Sequence, residues 1–201
     1  MIILGGNSGG GGNGGRSSPS GGGGGDAYES EVPTGLSAAD TKTLKWYSTD
    51  DGYSNMNKYL ATGETKYKSG EFSPKSLDKT VSKMDTAFKN AALKNDATVY
   101  RGLNENAAKQ FLSAKKGDII KSKTFLSTSS SKDIAMEFSK STKTPKTYVM
   151  EVKLSKGTSA MSMKGKAHFD REKEVLVNRN TNLKMKGTRT EGSTTIIMME
   201  T

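Results

Sequence analysis

Apolar positions along this chain follow two different rhythms. In Lys75–Leu93, KSLDKTVSKMDTAFKNAAL, the residues Leu77, Val81, Met84, Phe88 and Ala92 recur every three or four positions. That spacing lines one face of an α-helix. In Leu36–Tyr47, LSAADTKTLKWY, one side carries Leu36, Thr43, Leu44 and Tyr47, while Ser37 and Asp40 stand three apart as a capping box. Tyr53–Leu60, YSNMNKYL, predicts a second, shorter helix. From Ala97 onward the period shortens. ATVYRGL (Ala97–Leu103) and TFLSTS (Thr124–Ser129) predict strands, and KTYVMEVKL (Lys146–Leu154) places Tyr148, Met150, Val152 and Leu154 on one face. EKEVLVNR (Glu172–Arg179), NLKMKG (Asn182–Gly187) and TTIIMME (Thr194–Glu200) read as further short strands. KDIAMEF (Lys132–Phe138) starts a helix directly after TFLSTS, with Ser130 or Ser131 in the capping position. Helices first and strands later predict an α+β domain, with N-terminal helices packed on a mixed, mostly antiparallel sheet.

The glycines change the picture only at the N-terminus. Residues 1–25 hold thirteen of the 23 glycines, so residues 1–31 are read as a flexible Gly-rich tail and residues 32–201 as one domain. The run Gly21–Gly25 lacks the Gly-Lys-Ser/Thr ending and the preceding strand of a phosphate loop. With no Cys, disulfides, thiolate zinc sites and a cysteine nucleophile are excluded. A single His, His168, leaves little material for a histidine metal site, and no metal is expected. The formal charge of +10 favours anionic partners and keeps nucleic acid open without favouring it. No apolar run is long enough to cross a bilayer, and MIIL is too short for a signal peptide, so no membrane partner is expected. The expected location is cytoplasmic as made, or a host cell after delivery.

Three polar pieces interrupt the apolar strands. Arg101 lies near the end of TVYRG, Ser127, Thr128 and Ser129 end FLSTS, and Glu172 and Glu174 open EKEVLV. Taken singly, each has an ordinary explanation: an edge arginine, a helix cap, an exposed pair of acids at i, i+2 on one strand face.

Their order and context are more specific. YRG, then FLSTS followed by a helix carrying Ala135 and Phe138, then EKEVLV, resembles the Arg–Ser–Glu class of mono-ADP-ribosyltransferases. This class includes the clostridial binary toxins, the vertebrate arginine-specific ecto-enzymes and several phage enzymes. LKWYSTDDGYSNMNKYL is similar to that family's N-terminal stretch, so the resemblance runs from Leu36 to the C-terminus. It implies the ADP-ribosyltransferase fold, with NAD as substrate.

The resemblance also implies roles. Glu174 stabilises the oxocarbenium-like transition state and binds the ribose 2′-hydroxyl, Ser127 orients Glu174, and Arg101 holds NAD. Gly102, Thr128, Tyr53 and Phe138 join the NAD pocket, with Phe138 near nicotinamide. Lys140 follows that aromatic where toxin members often carry a phosphate-binding Arg. Glu172 implies an arginine acceptor, because arginine-directed members carry Glu at this place and relatives with other acceptors often carry Gln. KGKAHFDR (Lys164–Arg171) becomes the substrate-recognition turn, with Phe169 and His168 as candidate contacts to a target protein bearing an accessible arginine. An NAD glycohydrolase and a basic, non-catalytic binding module are the competing readings.

Overall fold

The computed structural model describes residues 36–67, 70–89, 91–140, 146–167 and 170–201. The Gly-rich tail, residues 1–31, lies outside the described residues. Three helices come first: α1 (Ala38–Tyr47), α2 (Asp50–Thr62) and α3 (Pro74–Phe88). A two-stranded hairpin of β1 (Lys66–Tyr67) and β2 (Gly70–Glu71) separates α2 from α3. Each helix begins on a side-chain cap. Ser37 and Asp40 form a reciprocal capping box on α1, Thr49 caps α2, and Ser73 caps α3 ahead of Pro74, whose fixed φ suits the first helical position. Gly63, at φ 77°, closes α2 in the left-handed conformation.

Helix α3 stops at Phe88, before its apolar period ends. The chain turns there because backbone partners lie elsewhere: the Leu93 N–H donates to the Thr158 carbonyl at 2.9 Å, and Ala92 bridges Ser159.

The remaining elements are β3 (Ala97–Leu103), α4 (Glu105–Leu112), β4 (Ile119–Lys121), β5 (Leu126–Ser129), α5 (Lys132–Ser139), β6 (Thr147–Leu154), β7 (Ala160–Ser162), β8 (Glu174–Val177), β9 (Asn182–Glu191) and β10 (Thr194–Glu200). Strands β3 to β10 form one eight-stranded sheet in the order β4-β9-β10-β6-β3-β5-β8-β7. Only β6 and β10 run parallel; every other pair is antiparallel. The expected mixed, mostly antiparallel α+β architecture is therefore present. Helix α4, capped by Asn104, and the short strands β4 and β7 add to the elements that the sequence pattern predicts.

Three apolar clusters hold the layers together. One face of the sheet buries Val99, Leu103, Tyr148, Met150, Val152, Leu154 and Ile197 with Phe111 of α4. The α1–α3 helices pack Leu44, Tyr47, Met56, Met84 and Phe88 against Phe125, Met161 and Leu176. On the far face, Ala135 of α5 covers Val149 and Ile196. Helix α5 lies so close to β3 that a Cβ on Gly102 would sit 2.2 Å from the Ala135 carbonyl oxygen and 2.7 Å from the Ser139 nitrogen. Glycine at this position is a condition of that packing. No helix among the described residues is long and apolar enough to cross a membrane.

Candidate active site

The polar pieces converge where β3, β5 and β8 lie side by side. Tyr100 pairs with Ser129 across β3 and β5, and Ser129 pairs with Glu174 across β5 and β8. Arg101, the next residue on β3, donates from Nη1 to the Ser127 carbonyl at 2.7 Å and from Nη2 to the Tyr53 hydroxyl at 2.5 Å. Its guanidinium carbon lies 5.8 Å from the centre of the Tyr53 ring, a cation–π distance. Tyr53 belongs to α2, so this helix is tied to the sheet through the arginine. Two edges of the planar fork are thereby fixed, and a guanidinium that stays charged is held in one orientation.

Ser127 has a different geometry from its neighbours. Its hydroxyl stands between Glu174 and Tyr47 and interacts with both. The Asn57 amide donates to the Tyr47 hydroxyl at 3.1 Å. Because an amide N–H can only donate, the Tyr47 hydroxyl accepts from Asn57 and its own proton is left free to turn toward Ser127. Asn57, Tyr47 and Ser127 thus stand in a row of polar groups that leads to the Glu174 carboxylate. In the sequence, Tyr47 reads as an apolar face residue, and Asn57 lies in the stretch that resembles the family's N-terminal segment, without a role assigned to it. Tyr47 has no exposed surface and Asn57 is 1% exposed. A buried amide beside a buried phenol is the structural signal; in sequence, the hints are the resemblance of YSNMNKYL to the family segment and an Asn in the middle of a helix, where it is a mediocre helix former.

Glu174 is 8% exposed. Burial pushes its carboxyl up to about 7, with the nearby Glu172 adding to the rise, while Ser127 and Arg101 oppose it. The charged form is thus held near the balance point at neutral pH. Arg101 rises above its ordinary range although burial opposes this, because Tyr53, Tyr47 and Glu174 supply compensating interactions. The Tyr47 hydroxyl is pushed up by burial and stays protonated, as a donor must.

Thr128 and Ser129 serve the backbone. The Thr128 hydroxyl donates to the Val175 carbonyl at 2.5 Å, pointing along the β5–β8 seam. The expectation that Thr128 contacts NAD meets a hydroxyl already committed to that carbonyl. Ser129 donates to the Glu172 carbonyl at 2.8 Å, and the Ser130 N–H donates to the Lys173 carbonyl at 3.1 Å. Ser129 also accepts from the Ser131 N–H at 3.0 Å. Ser131 occupies the capping position of α5, but its side chain makes no capping bond.

These bonds bend the chain before β8. Asp170–Glu172 form a single 3-10 turn, and Lys173 takes φ 47°. Glu172 is therefore not a strand residue sharing a face with Glu174, as the i, i+2 spacing suggests. It stands on a separate turn, half-buried, with its carboxyl raised by burial and by Asp50 and lowered by Arg171. Gly102, read as an NAD contact, carries the backbone of α5, including Phe138. Phe138 leaves 61% of its surface exposed. Lys140 ends α5, exposed. His168 and Phe169 lie outside the described residues. No group of three His, Asp or Glu suited to a metal ion occurs among the described residues.

The family model of the ADP-ribosyltransferase exoenzymes matches residues 25–201. The chain belongs to that family. As an ADP-ribosyltransferase exoenzyme it is an NAD-dependent mono-ADP-ribosyltransferase. No curated protein matches it by sequence. Solved structures share its fold at low identity. An ADP-ribosyltransferase of Clostridium botulinum has 15% identity and a TM-score of 0.66, over 84% of this chain and 88% of that one. An ADP-ribosyltransferase toxin of Paenibacillus larvae has 21% identity and a TM-score of 0.64, over 85% and 88%. The Vis toxin of Vibrio splendidus, solved in complex with agmatine, has 22% identity and a TM-score of 0.64, over 87% and 79%.

Proposed function

We propose that this exoenzyme transfers ADP-ribose from NAD to an arginine of a target protein, with Arg101, Ser127 and Glu174 acting on NAD and Glu172 on the acceptor. The observation that carries the reading is a buried Glu174 reached by the polar row of Asn57, Tyr47 and Ser127, with Arg101 anchored on the same serine's carbonyl.

The chemistry follows from charge. Cleavage of the nicotinamide–ribose bond sends the bonding pair to the nicotinamide nitrogen and leaves an oxocarbenium-like ribose. A fixed carboxylate beside that centre stabilises the positive charge, and burial strengthens the interaction. Glu174 is such a group, and Ser127 keeps it in one rotamer. Arg101 presents its free N–H edge to the phosphate and ribose oxygens. Phe138 offers an exposed ring for nicotinamide stacking, and Lys140 a cation beyond it. The acceptor guanidinium must lose a proton as its nitrogen forms the new bond. Glu172, with its proton affinity raised by burial, is suited to take it. The presence of Glu rather than Gln there, and the agmatine complex of Vis, a small guanidine on the same fold, support an arginine acceptor. The reading also requires a target protein; His168 and Phe169 remain its candidate contacts.

The test is incubation with labelled NAD and bacterial and eukaryotic lysates, beside the Glu172→Gln variant. The expected result is labelled protein, stable to mercuric ion and released by hydroxylamine, with transfer lost in the variant about tenfold more than NAD hydrolysis. Free ADP-ribose with no labelled protein would replace the transferase by an NAD glycohydrolase. Neither signal, with retention of nucleic acid instead, would replace it by a binding module.

A further inference from the structure

Two residues other than glycine hold a positive φ among the described residues: Asn180 at 65° and Lys173 at 47°. Asparagine is enriched in this left-handed region because its short amide bonds locally, whereas lysine has no such compensation. Lys173 is exposed, so packing of its side chain does not impose the conformation. Neighbouring groups impose it on the backbone. The Lys173 carbonyl accepts from the Ser130 N–H at 3.1 Å, and the Glu172 carbonyl accepts from the Ser129 hydroxyl at 2.8 Å. Ser129 is buried and also accepts from the Ser131 N–H at 3.0 Å, where α5 begins. A residue in a sparsely populated conformation persists only where its surroundings over-determine it, and such residues concentrate at functional sites.

This corner separates the two acids of EKE. After it, Glu174 is fixed independently: β8 pairs with β5 along its length, and the Glu174 carbonyl accepts from the Met163 N–H at 2.9 Å. Before it, Glu172 ends the 3-10 turn and is tied to β5 through the Ser129 bond. An extended Lys173 would carry Glu172 back onto the strand, on the same face as Glu174.

We infer that Lys173 is a positioning residue: its left-handed backbone, clamped by Ser129 and the Ser130 amide, keeps Glu172 off the strand and at the acceptor, and so sets how ADP-ribose divides between a guanidine and water. This deepens the arginine-transfer reading and rests on it. In both outcomes nicotinamide leaves with the bonding pair. In transfer, the guanidine nitrogen bonds to the ribose carbon and its proton passes to Glu172. In hydrolysis, a water oxygen forms that bond and its proton passes to solvent. Releasing the corner withdraws the proton acceptor while Glu174 stays in its strand, so transfer falls and NAD cleavage persists.

The experiment separates the backbone of Lys173 from its charge. ADP-ribosyl-agmatine and free ADP-ribose are measured from NAD and agmatine for the full chain, Lys173→Val, Lys173→Asn and Ser129→Ala. Valine and asparagine both remove the charge, but only the β-branched valine opposes a positive φ. The expected result is a transfer-to-hydrolysis ratio lowered about tenfold in Lys173→Val, the scale of a misplaced reacting group, with the KM for NAD held within about twofold. Lys173→Asn keeps the ratio within about twofold of the wild type. Ser129→Ala opens the clamp from the other side and lowers the ratio about fivefold. An unchanged ratio in Lys173→Val or in Ser129→Ala overturns the assignment. So does an equal fall in Lys173→Asn, which would mark the lysine charge. Equal losses of transfer and hydrolysis in Lys173→Val overturn it too, since they would tie the corner to Glu174. If the wild type hydrolyses NAD but never modifies agmatine or protein arginine, the arginine reading itself fails, and the role of Lys173 falls with it.

Discussion

The two halves of the sheet are built on opposite plans. In the half formed by β6, β9 and β10, strands pair over seven positions, with one irregularity at Met198 and Met199. Charged groups on its open face are matched: Arg189 donates to both Glu151 oxygens at 3.0 and 2.8 Å and to Glu191 at 2.9 Å, and Lys132 at the start of α5 pairs with Glu191. In the half formed by β5 and β8, strands pair over four positions and a residue at positive φ precedes β8. There Glu174 is buried with its carboxyl pushed up to about 7, beside a second acid and an arginine. One half spends its charges on holding shape. The other keeps a charge in surroundings that disfavour it, which is the arrangement expected of reactive groups.

The sharpest way to break this comparison is Glu174→Gln. The shape and the Ser127 contact are kept, but the carboxylate is lost. NAD turnover should fall about a thousandfold, within the span seen when one transition-state electrostatic partner is removed. Thermal stability should hold or rise, because a buried group with a raised carboxyl pKa contributes least when ionised. The folded value lies above the unfolded one, so the wild type loses stability between pH 4.5 and about 7 and is constant above. Melting curves of variant and wild type at pH 5 and pH 8 check this: the difference should favour the variant more at pH 8. A melting point that collapses at both would make Glu174 a structural residue.

Gly102→Ala joins the two halves. A Cβ there would drive the Ala135 carbonyl and the backbone of Phe138 and Ser139 away from β3. Overpacking of this kind costs about 1–3 kcal/mol. Because α5 carries Phe138 and begins next to the serines that hold the Glu172 and Glu174 segment, activity should fall about a hundredfold as the reacting groups lose register. Equal NAD turnover in a folded variant would show that α5 has no part in the site.

The acid limb of turnover sharpens the same point. With Glu174 needed as a carboxylate, kcat/KM for NAD should fall about tenfold per pH unit below about 7. The limb of kcat should lie at lower pH, since the positive nicotinamide of bound NAD favours the ionised acid. A flat profile from pH 5 to pH 8 would show that the carboxylate is not the titrating requirement.

What is legible in the sequence follows the same division. Strands such as Ala97–Leu103 and Thr194–Glu200 can be read to the residue because they are short β-branched and apolar runs with clear ends, even though Ile196 and Ile197 are buried on opposite faces and the burial does not alternate. The Arg–Ser–Glu residues stand out as polar groups in apolar strands. Glu172 is misplaced by its spacing, because EKE says nothing of the backbone at Lys173, which is bent by hydroxyl and amide donors 43 residues earlier. Tyr47 is hidden for a related reason: its ring belongs to the apolar face of α1, and only the fold shows that its hydroxyl meets Asn57 and Ser127. Helix α4 leaves a trace in Asn104 and the Ala108–Phe111 spacing, but eight residues give a weak period.

Arg189→Ala tests the other side of the comparison and should have the smallest effect on catalysis. The substitution leaves Glu151, whose side chain is 13% exposed, without its bidentate partner. The Arg189 pair holds the Glu151 carboxyl below its usual range, so the variant should lose stability only where Glu151 would be ionised, above its ordinary range, and little at acid pH. A loss of about 1–2 kcal/mol at neutral pH is expected from an unsatisfied, partly buried acid. Denaturant unfolding at pH 4 and pH 7 measures it. NAD turnover should remain within about twofold, since Lys132 keeps its own contact with Glu191 and α5 stays on Gly102. A large loss of turnover with little loss of stability would mean that the matched charges also hold α5 in its working position, and the two halves of the sheet would have to be treated as one site.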